Sequence, residues 1–307
     1  QFYDDAGNEE IFSTGNNKIL KGTTTLTDIT PGSYTITANN WKIVNFNDKA
    51  YFFQRGYDPL VYDNANGLRT FTVVNGSATS ATLKCNEAVS SFGRLWIVDN
   101  DTDTQTVYWS DLLIGNDFSG GSSGSINVTK AWPDGYDEVV ALAAHNNALI
   151  IFGQHSILVY GGAESPASMA LVDTVSGVGC VDRNSVQSIG TDVLFMSDSG
   201  LRSLGRTIQE KSLPISDLSL NVKTEIIEVI SAETEPMACI YSPENSFYLA
   251  GFPSQQTIYC FDLKGRLENG SYRVTRWTSV SHKSFARDKD GTLYIGTTDG
   301  LGKYDTF

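Results

Sequence analysis

The chain has 307 residues, with 22 Lys+Arg against 35 Asp+Glu and a formal charge of −13; 40% of its residues are hydrophobic and 19% charged. That apolar share, with 11% aromatics, excludes a disordered chain, and the longest apolar runs, Val139–Ala144 and Ala148–Gly153, are far short of the roughly 20 residues that span a bilayer. The acidity excludes a sequence-independent grip on DNA or RNA, which depends on Lys and Arg neutralising phosphates.

No basic-plus-apolar leader follows Gln1, and the sequence reads as a fragment or the ordered part of a longer chain. From there, strand-like runs of four to six residues rich in Val, Ile, Tyr, Phe and Thr recur between turn signals. In chain order the hairpins are Ile11–Ser13 with Lys18–Leu20, Tyr51–Phe53 with Leu60–Asp63, and Leu95–Ile97 with Val107–Asp111. They continue as Leu149–Ile151 with Ile157–Tyr160, Leu194–Met196 with Leu201–Leu204, Phe247–Leu249 with Ile258–Asp262, and Leu293–Ile295 with Leu301–Asp305. Aligned on Phe12, Tyr51, Trp96, Ile150, Phe195, Tyr248 and Tyr294, they are separated by 39, 45, 54, 45, 53 and 46 residues. This is the spacing of four-stranded propeller blades, roughly 40–50 residues each.

Apolar segments ahead of the hairpins (Trp41–Phe46, Val139–Ala144, Ser185–Ile189, Met237–Tyr241, Ser284–Ala286) supply innermost strands, and Thr70–Val74, Ala170–Val175 and Arg273–Val280 supply outermost ones. Residues 1–307 therefore read as a single all-β domain, a β-propeller of about seven four-stranded blades. The polar first hairpin leaves six blades with an N-terminal extension as the competing count, and a pair of β-sandwiches as the competing fold. Helical periodicity is almost absent. Leu218–Ile230 is the best helical segment, though its β-branched residues leave a strand equally open.

Candidate chemistry is sparse. Asp99, Asp101 and Asp103 alternate oxygen ligands as a calcium loop would, but the glycine and distal glutamate of an EF-hand are missing and a solvated turn explains the same residues. Met196-Ser197-Asp198-Ser199-Gly200 is similar to the Ser-x-Asp-x-Gly turn of sialidase-type propellers, with Met196 in place of its serine and without paired acids or clustered arginines beside it. No Gly-x-Ser-x-Gly elbow, P-loop or His-Glu-x-x-His is present. Ser119–Ser125 reads as a flexible Gly/Ser loop. Asn75-Gly76-Ser77, Asn127-Val128-Thr129 and Asn269-Gly270-Ser271 match the glycosylation sequon but read as turns. Cys85, Cys180, Cys239 and Cys260 are dispersed and read as buried thiols. No cofactor is implied.

Four ordered stretches carry a family resemblance: Asn45–Phe52 with Gly56–Asp63; Gly93–Ile97 with Val107–Asp111 and Asn116–Phe118; Val139–Leu142 with Ala148–Phe152; and Gly179–Val181 with Asn184–Val186 and Phe195–Leu201. In this order they resemble the β-propeller structural proteins of tailed bacteriophages, the tail tubular (nozzle) and packaged-DNA stabilisation proteins. The resemblance implies a non-enzymatic virion component assembled in the host cytoplasm. It implies a ring, six-fold by expectation, against adaptor or portal and tail fibre proteins, past which viral DNA moves without tight binding. The alternative is a stand-alone propeller that binds carbohydrate or protein, with Trp41, Trp109, Trp132 and Trp277 as stacking platforms. A glycosidase is a further alternative.

Overall fold

The computed structural model describes the chain except for residues 16, 33, 35, 37–39, 72–82, 212–217 and 305–307. A short ribbon, Phe2–Tyr3 with Glu9–Glu10, is followed by seven antiparallel sheets whose strands neighbour one another in chain order. Blade 1 holds Phe12–Gly15, Lys18–Lys21 and Thr27–Asp28; blade 2 holds Lys42–Phe46, Lys49–Phe53, Leu60–Asp63 and Gly67–Thr70. Blade 3 holds Cys85–Ser91, Arg94–Asn100, Thr106–Trp109 and Gly124–Asn127; blade 4 holds Val139–His145, Ala148–Gly153, Ser156–Gly161 and Ala170–Ser176. Blade 5 holds Gln187–Ser188, Val193–Ser197 and Gly200–Ser203; blade 6 holds Ala238–Ser242, Phe247–Phe252, Thr257–Arg266 and Tyr272–Thr278; blade 7 holds Ser284–Arg287, Leu293–Gly296 and Leu301–Lys303. Seven consecutive up-and-down sheets make this a β-propeller.

The first hairpin, despite its polar residues, pairs from Phe12↔Lys21 to Gly15↔Lys18 and forms a blade, so the six-blade count falls. Blades 1, 5 and 7 show three strands among the described residues where four were expected. In blade 5 the chain leaves its third strand directly into helix α1 (Leu204–Glu210), because the Ser203 hydroxyl accepts a hydrogen bond from Arg206 N–H and caps the first turn. The ambiguous segment resolves as helix α2 (Lys223–Ala232). Ile226, Val229 and Ile230 recur at helical spacing and pack on Tyr259, Tyr272 and their neighbours, so tertiary burial overrides β-branched propensity. Of the expected outermost strands, Ala170–Val175 forms within Ala170–Ser176 and Arg273–Val280 forms as far as Thr278, whereas the outermost strand of blade 2 is Gly67–Thr70, ahead of the expected Thr70–Val74; residues 72–74 and the sequon at Asn75 lie outside the described residues.

The second strand of each full blade is the most apolar: Lys49–Phe53, Arg94–Asn100, Ala148–Gly153 and Phe247–Phe252 are buried almost end to end. A strand covered on both faces cannot alternate polar and apolar residues, so it reads as a continuous hydrophobic run. Each large side chain buried this way stabilises the fold by roughly 1.5–3 kcal/mol.

The chain divides into two compact units, Gln1–Ile151 with Val159–Val172, and Phe152–Leu158 with Asp173–Phe307. In the first unit the inner strands of blades 2 and 3 are joined by an ion pair, Lys42 Nζ to Glu87 Oε1 at 2.9 Å, whose carboxylate is buried. Two aromatic-rich clusters fill its core, one around Tyr51, Phe53 and Leu95, the other around Phe2, Phe52 and Tyr62.

In the second unit, Tyr248 and Phe261 anchor the main cluster. His282 is buried in the same unit, its Nδ1 2.8 Å from Val280 O and its ring stacked on Phe285. Burial lowers the His282 pKa below the ordinary 6.5, against the opposing pull of Glu233 and Glu235 and with a contribution from Lys283. A lowered histidine pKa contributes stability that is complete above the unfolded value and declines as pH falls below it toward the folded value. Urea midpoints measured at pH 7.5 and 5.5 should therefore drop for the wild type, and that component of the drop should vanish in His282→Gln.

The four thiols are unpaired with one another. Burial pushes the Cys260 thiol up to about 11 and Cys239 still higher, so both stay protonated at neutral pH and are poor nucleophiles. Among the described residues, no helix is long and apolar enough to cross a membrane.

Candidate functional site

The inner and second strands of blades 2, 3 and 4 are joined by two-residue turns with both residues at positive φ: Asn47-Asp48, Phe92-Gly93 and Asn146-Asn147. Such turns match the twist of the strands and favour Asn, Asp and Gly. Phe92, with φ 53°, is the exception, and bulky residues rarely enter this region. Its ring lies edge-on to Trp96.

At the same end of blade 3, the segment 110–123 connects the third and fourth strands. It is bonded throughout. Asp111 N–H donates to Asp117 O at 2.7 Å, Leu113 N–H donates to Gly93 O at 2.8 Å, and Asn47 Nδ2 of blade 2 donates to Leu113 O at 2.8 Å. The Asp111 carboxylate accepts from the N–H groups of Ser122 and Leu112 and from the Ser122 hydroxyl. The Asp117 carboxylate accepts from Ser119 and Gly120 N–H. Beneath them the buried Arg94 guanidinium donates to Ser110 O and to Ser122 O and Oγ. Hydrogen bonds from Ser122 and Leu112, with Arg94 nearby, hold the Asp111 carboxyl below its usual range, so this network is complete at neutral pH and is lost only in acid.

Ser119–Ser125 is therefore not the flexible loop its composition suggests. A Cβ on Gly121, already at φ 55°, would fall within 3.0 Å of the Asp111 carboxylate. Glycine here permits close approach to a carboxylate rather than looseness.

What this framework displays is Leu112, Leu113 and Ile114, consecutive and 51%, 58% and 43% exposed. Leu113 has φ 59°, so a bulky side chain is held in the left-handed region. Such conformations cost about 1–3 kcal/mol and persist where surrounding contacts enforce them, often at functional sites. Sequence reasoning missed this triplet. The available signal was an apolar Leu-Leu-Ile set between Asp111 and the turn residues Gly115-Asn116-Asp117.

Asp99 pairs with Arg55, Asn100 accepts from Thr102 and Asp103 N–H, and Asp103 accepts from the N–H groups of Gln105 and Thr106 and the Thr106 hydroxyl. No group of three or more His, Cys, Asp or Glu positioned to hold a metal occurs among the described residues. Three of the four proposed stacking tryptophans belong to the core: Trp41 lies between Tyr34 and Tyr57, Trp109 against Trp96, and Trp132 donates to Gln105 Oε1 at 2.7 Å. The half-buried Trp277 stacks on Tyr304 at 5.8 Å. In the Met196–Gly200 turn, Ser197 and Ser199 accept from the buried Arg202, a structural task. Asn127 and Asn269 accept bonds from residues two positions on, as turns.

No protein-family model matches the sequence, and no curated protein matches it. A solved structure described as streptogramin B lyase is similar, with a TM-score of 0.53 and 9% identity over 98% of this chain and 91% of that one. At that identity the likeness shows the shared propeller fold. It also corrects the expectation of a non-enzymatic protein, since a structure described as a lyase has this architecture across nearly the whole chain and the fold gives no ground for excluding catalysis.

Proposed function

We propose that the chain is a binding propeller that engages a protein partner through the end of blade 3. The observation that carries this is the exposed Leu112–Ile114 triplet, displayed by a loop whose bonds hold it in a strained backbone conformation. Exposed apolar side chains in a preformed loop fit a protein contact, because ordering costs little on binding. A carbohydrate would need open aromatic faces; of the four candidate tryptophans Trp41, Trp109 and Trp132 have theirs packed and Trp277 stacks on Tyr304, so the exposed ring of Tyr136 is left for the glycan test to address. Panning the protein against displayed random-sequence peptides should yield binders that Leu112→Asp abolishes, while a glycan array shows no saturable binding. Saturable glycan binding with no such peptides would overturn the choice of protein partner.

A second reading, component of a phage tail ring in the virion, is supported by the ordered resemblance in the sequence. Its second stretch, Gly93–Ile97 with Val107–Asp111 and Asn116–Phe118, brackets the displayed triplet. On this reading the partners are copies of the chain and adaptor, portal or fibre proteins, and acidic residues along the DNA path let phosphates slide. Native mass spectrometry of purified particles tests it: a six- or twelve-fold ring is expected, and a monomer absent from the particles contradicts it.

A further inference from the structure

We infer that the partner segment received by the blade 3 loop carries apolar side chains flanked by lysine or arginine. This rests on the reading of Leu112–Ile114 as a binding surface and goes further, to the chemistry of what binds. The triplet projects, so its occupant must offer an apolar recess. The charge beside it decides the rim of that recess. Asn47, whose amide holds Leu113 O, adjoins Asp48 in the blade 2 turn, and Asp48 Oδ1 accepts from Asp5 N–H at 2.7 Å. Asp4 follows directly, gripping Asn8 and Asn64. The run from the knob outward is thus Leu113, Asn47, Asp48, Asp5, Asp4, with exposed carboxylates at Asp48 and Asp5 and a half-buried cation at Lys49. An apolar projection edged by carboxylates is complemented by an apolar recess edged by cations. A second copy of this chain, at formal charge −13, is a poor electrostatic match for that edge.

The backbone at Leu113 makes the test clean. Asparagine tolerates positive φ, so Leu113→Asn removes the apolar contact while relieving strain. A residue kept for folding would destabilise the protein on replacement, whereas one kept for contact leaves it as stable or more so. The probe is the displayed random-peptide library, panned on wild type and on Leu113→Asn, with selected peptides then titrated at low and high salt. Selected peptides should combine Leu, Ile, Phe or Trp with Lys or Arg and bind Leu113→Asn on the order of tenfold more weakly. They should weaken several-fold at ~1 M salt, where the Debye length falls to about 3 Å. They should also weaken with Asp5→Asn plus Asp48→Asn, a pair that keeps the Oδ1 acceptor.

Peptides that depend on Leu113 but lack basic residues and ignore both salt and the Asp5/Asp48 pair would overturn the partner chemistry and leave the binding surface standing. A chain that dimerises in sedimentation, with the dimer lost in Leu113→Asn, would also overturn it by making the occupant a second copy. Peptides indifferent to Leu113→Asn would overturn both.

Discussion

Gly179→Ala is expected to destabilise the second unit by about 3 kcal/mol or more. A Cβ on Gly179 would lie within 3.0 Å of the backbone C and O of Gln154 and the backbone N of His155. These are main-chain atoms at the turn between the second and third strands of blade 4, and they cannot rotate away as a side-chain end would. The next residue fixes the approach, because Cys180 N–H donates to Gly153 O at 2.8 Å. Relief would have to break that bond or shift a turn adjoining Phe152, whose ring packs at a tilt against Phe195. Overpacking of this kind ordinarily costs about 1–3 kcal/mol, and a clash with rigid backbone stands at or beyond the top of that range. Urea unfolding read by tryptophan fluorescence measures it; a loss under about 1 kcal/mol would show that the two segments part easily.

Lys42→Met should cost nearly as much, for an electrostatic reason. Glu87 is buried in the inner strand of blade 3, and Lys42 Nζ approaches it at 2.9 Å from blade 2. Removing one member of a buried pair leaves a desolvated charge, typically a loss of 3–5 kcal/mol, and the 26% exposure of the Lys42 side chain puts the expected loss at the low end, about 3 kcal/mol. The double variant Lys42→Met with Glu87→Leu should recover much of this, since a matched apolar pair carries no desolvation penalty. A double variant no more stable than Lys42→Met would place Glu87's contribution in its other contacts.

The propeller was legible because its second strands leave a plain trace: Tyr51–Phe53, Leu95–Ile97, Leu149–Ile151 and Phe247–Leu249 are apolar runs set between turn residues at blade spacing. Burial on both faces produces that trace without help from distant residues. The helices were less legible. Leu218–Ile230 carries its periodicity in Ile and Val, which local propensity assigns to either state, and contact with Tyr259 and Tyr272 decides it. Nothing local marks Ser203 as a cap rather than a strand residue.

The site was largely illegible, for two physical reasons. A glycine-serine run looks the same whether it is loose or wrapped around carboxylates, and only the positions of Asp111 and Asp117 show that Ser119–Ser125 is the latter. Likewise Leu-Leu-Ile is core-like in sequence, and its exposure follows from where Gly93, Asn47 and Arg94 hold the loop. The tryptophans failed in the opposite sense: Trp41 and Trp109 have the residue type of a binding platform and the packing of a core.

Residues 110–123 form a prebuilt framework presenting Leu112–Ile114, and amide hydrogen exchange reads its bonds one by one. Leu113, Gly120 and Ser122 amides donate to Gly93 O, the Asp117 carboxylate and the Asp111 carboxylate. They should exchange slowly at neutral pH and rapidly in Arg94→Met, which withdraws the donors beneath Ser110 and Ser122. Exchange in the unaltered protein at the rate of an unstructured glycine-serine segment would contradict a prebuilt framework.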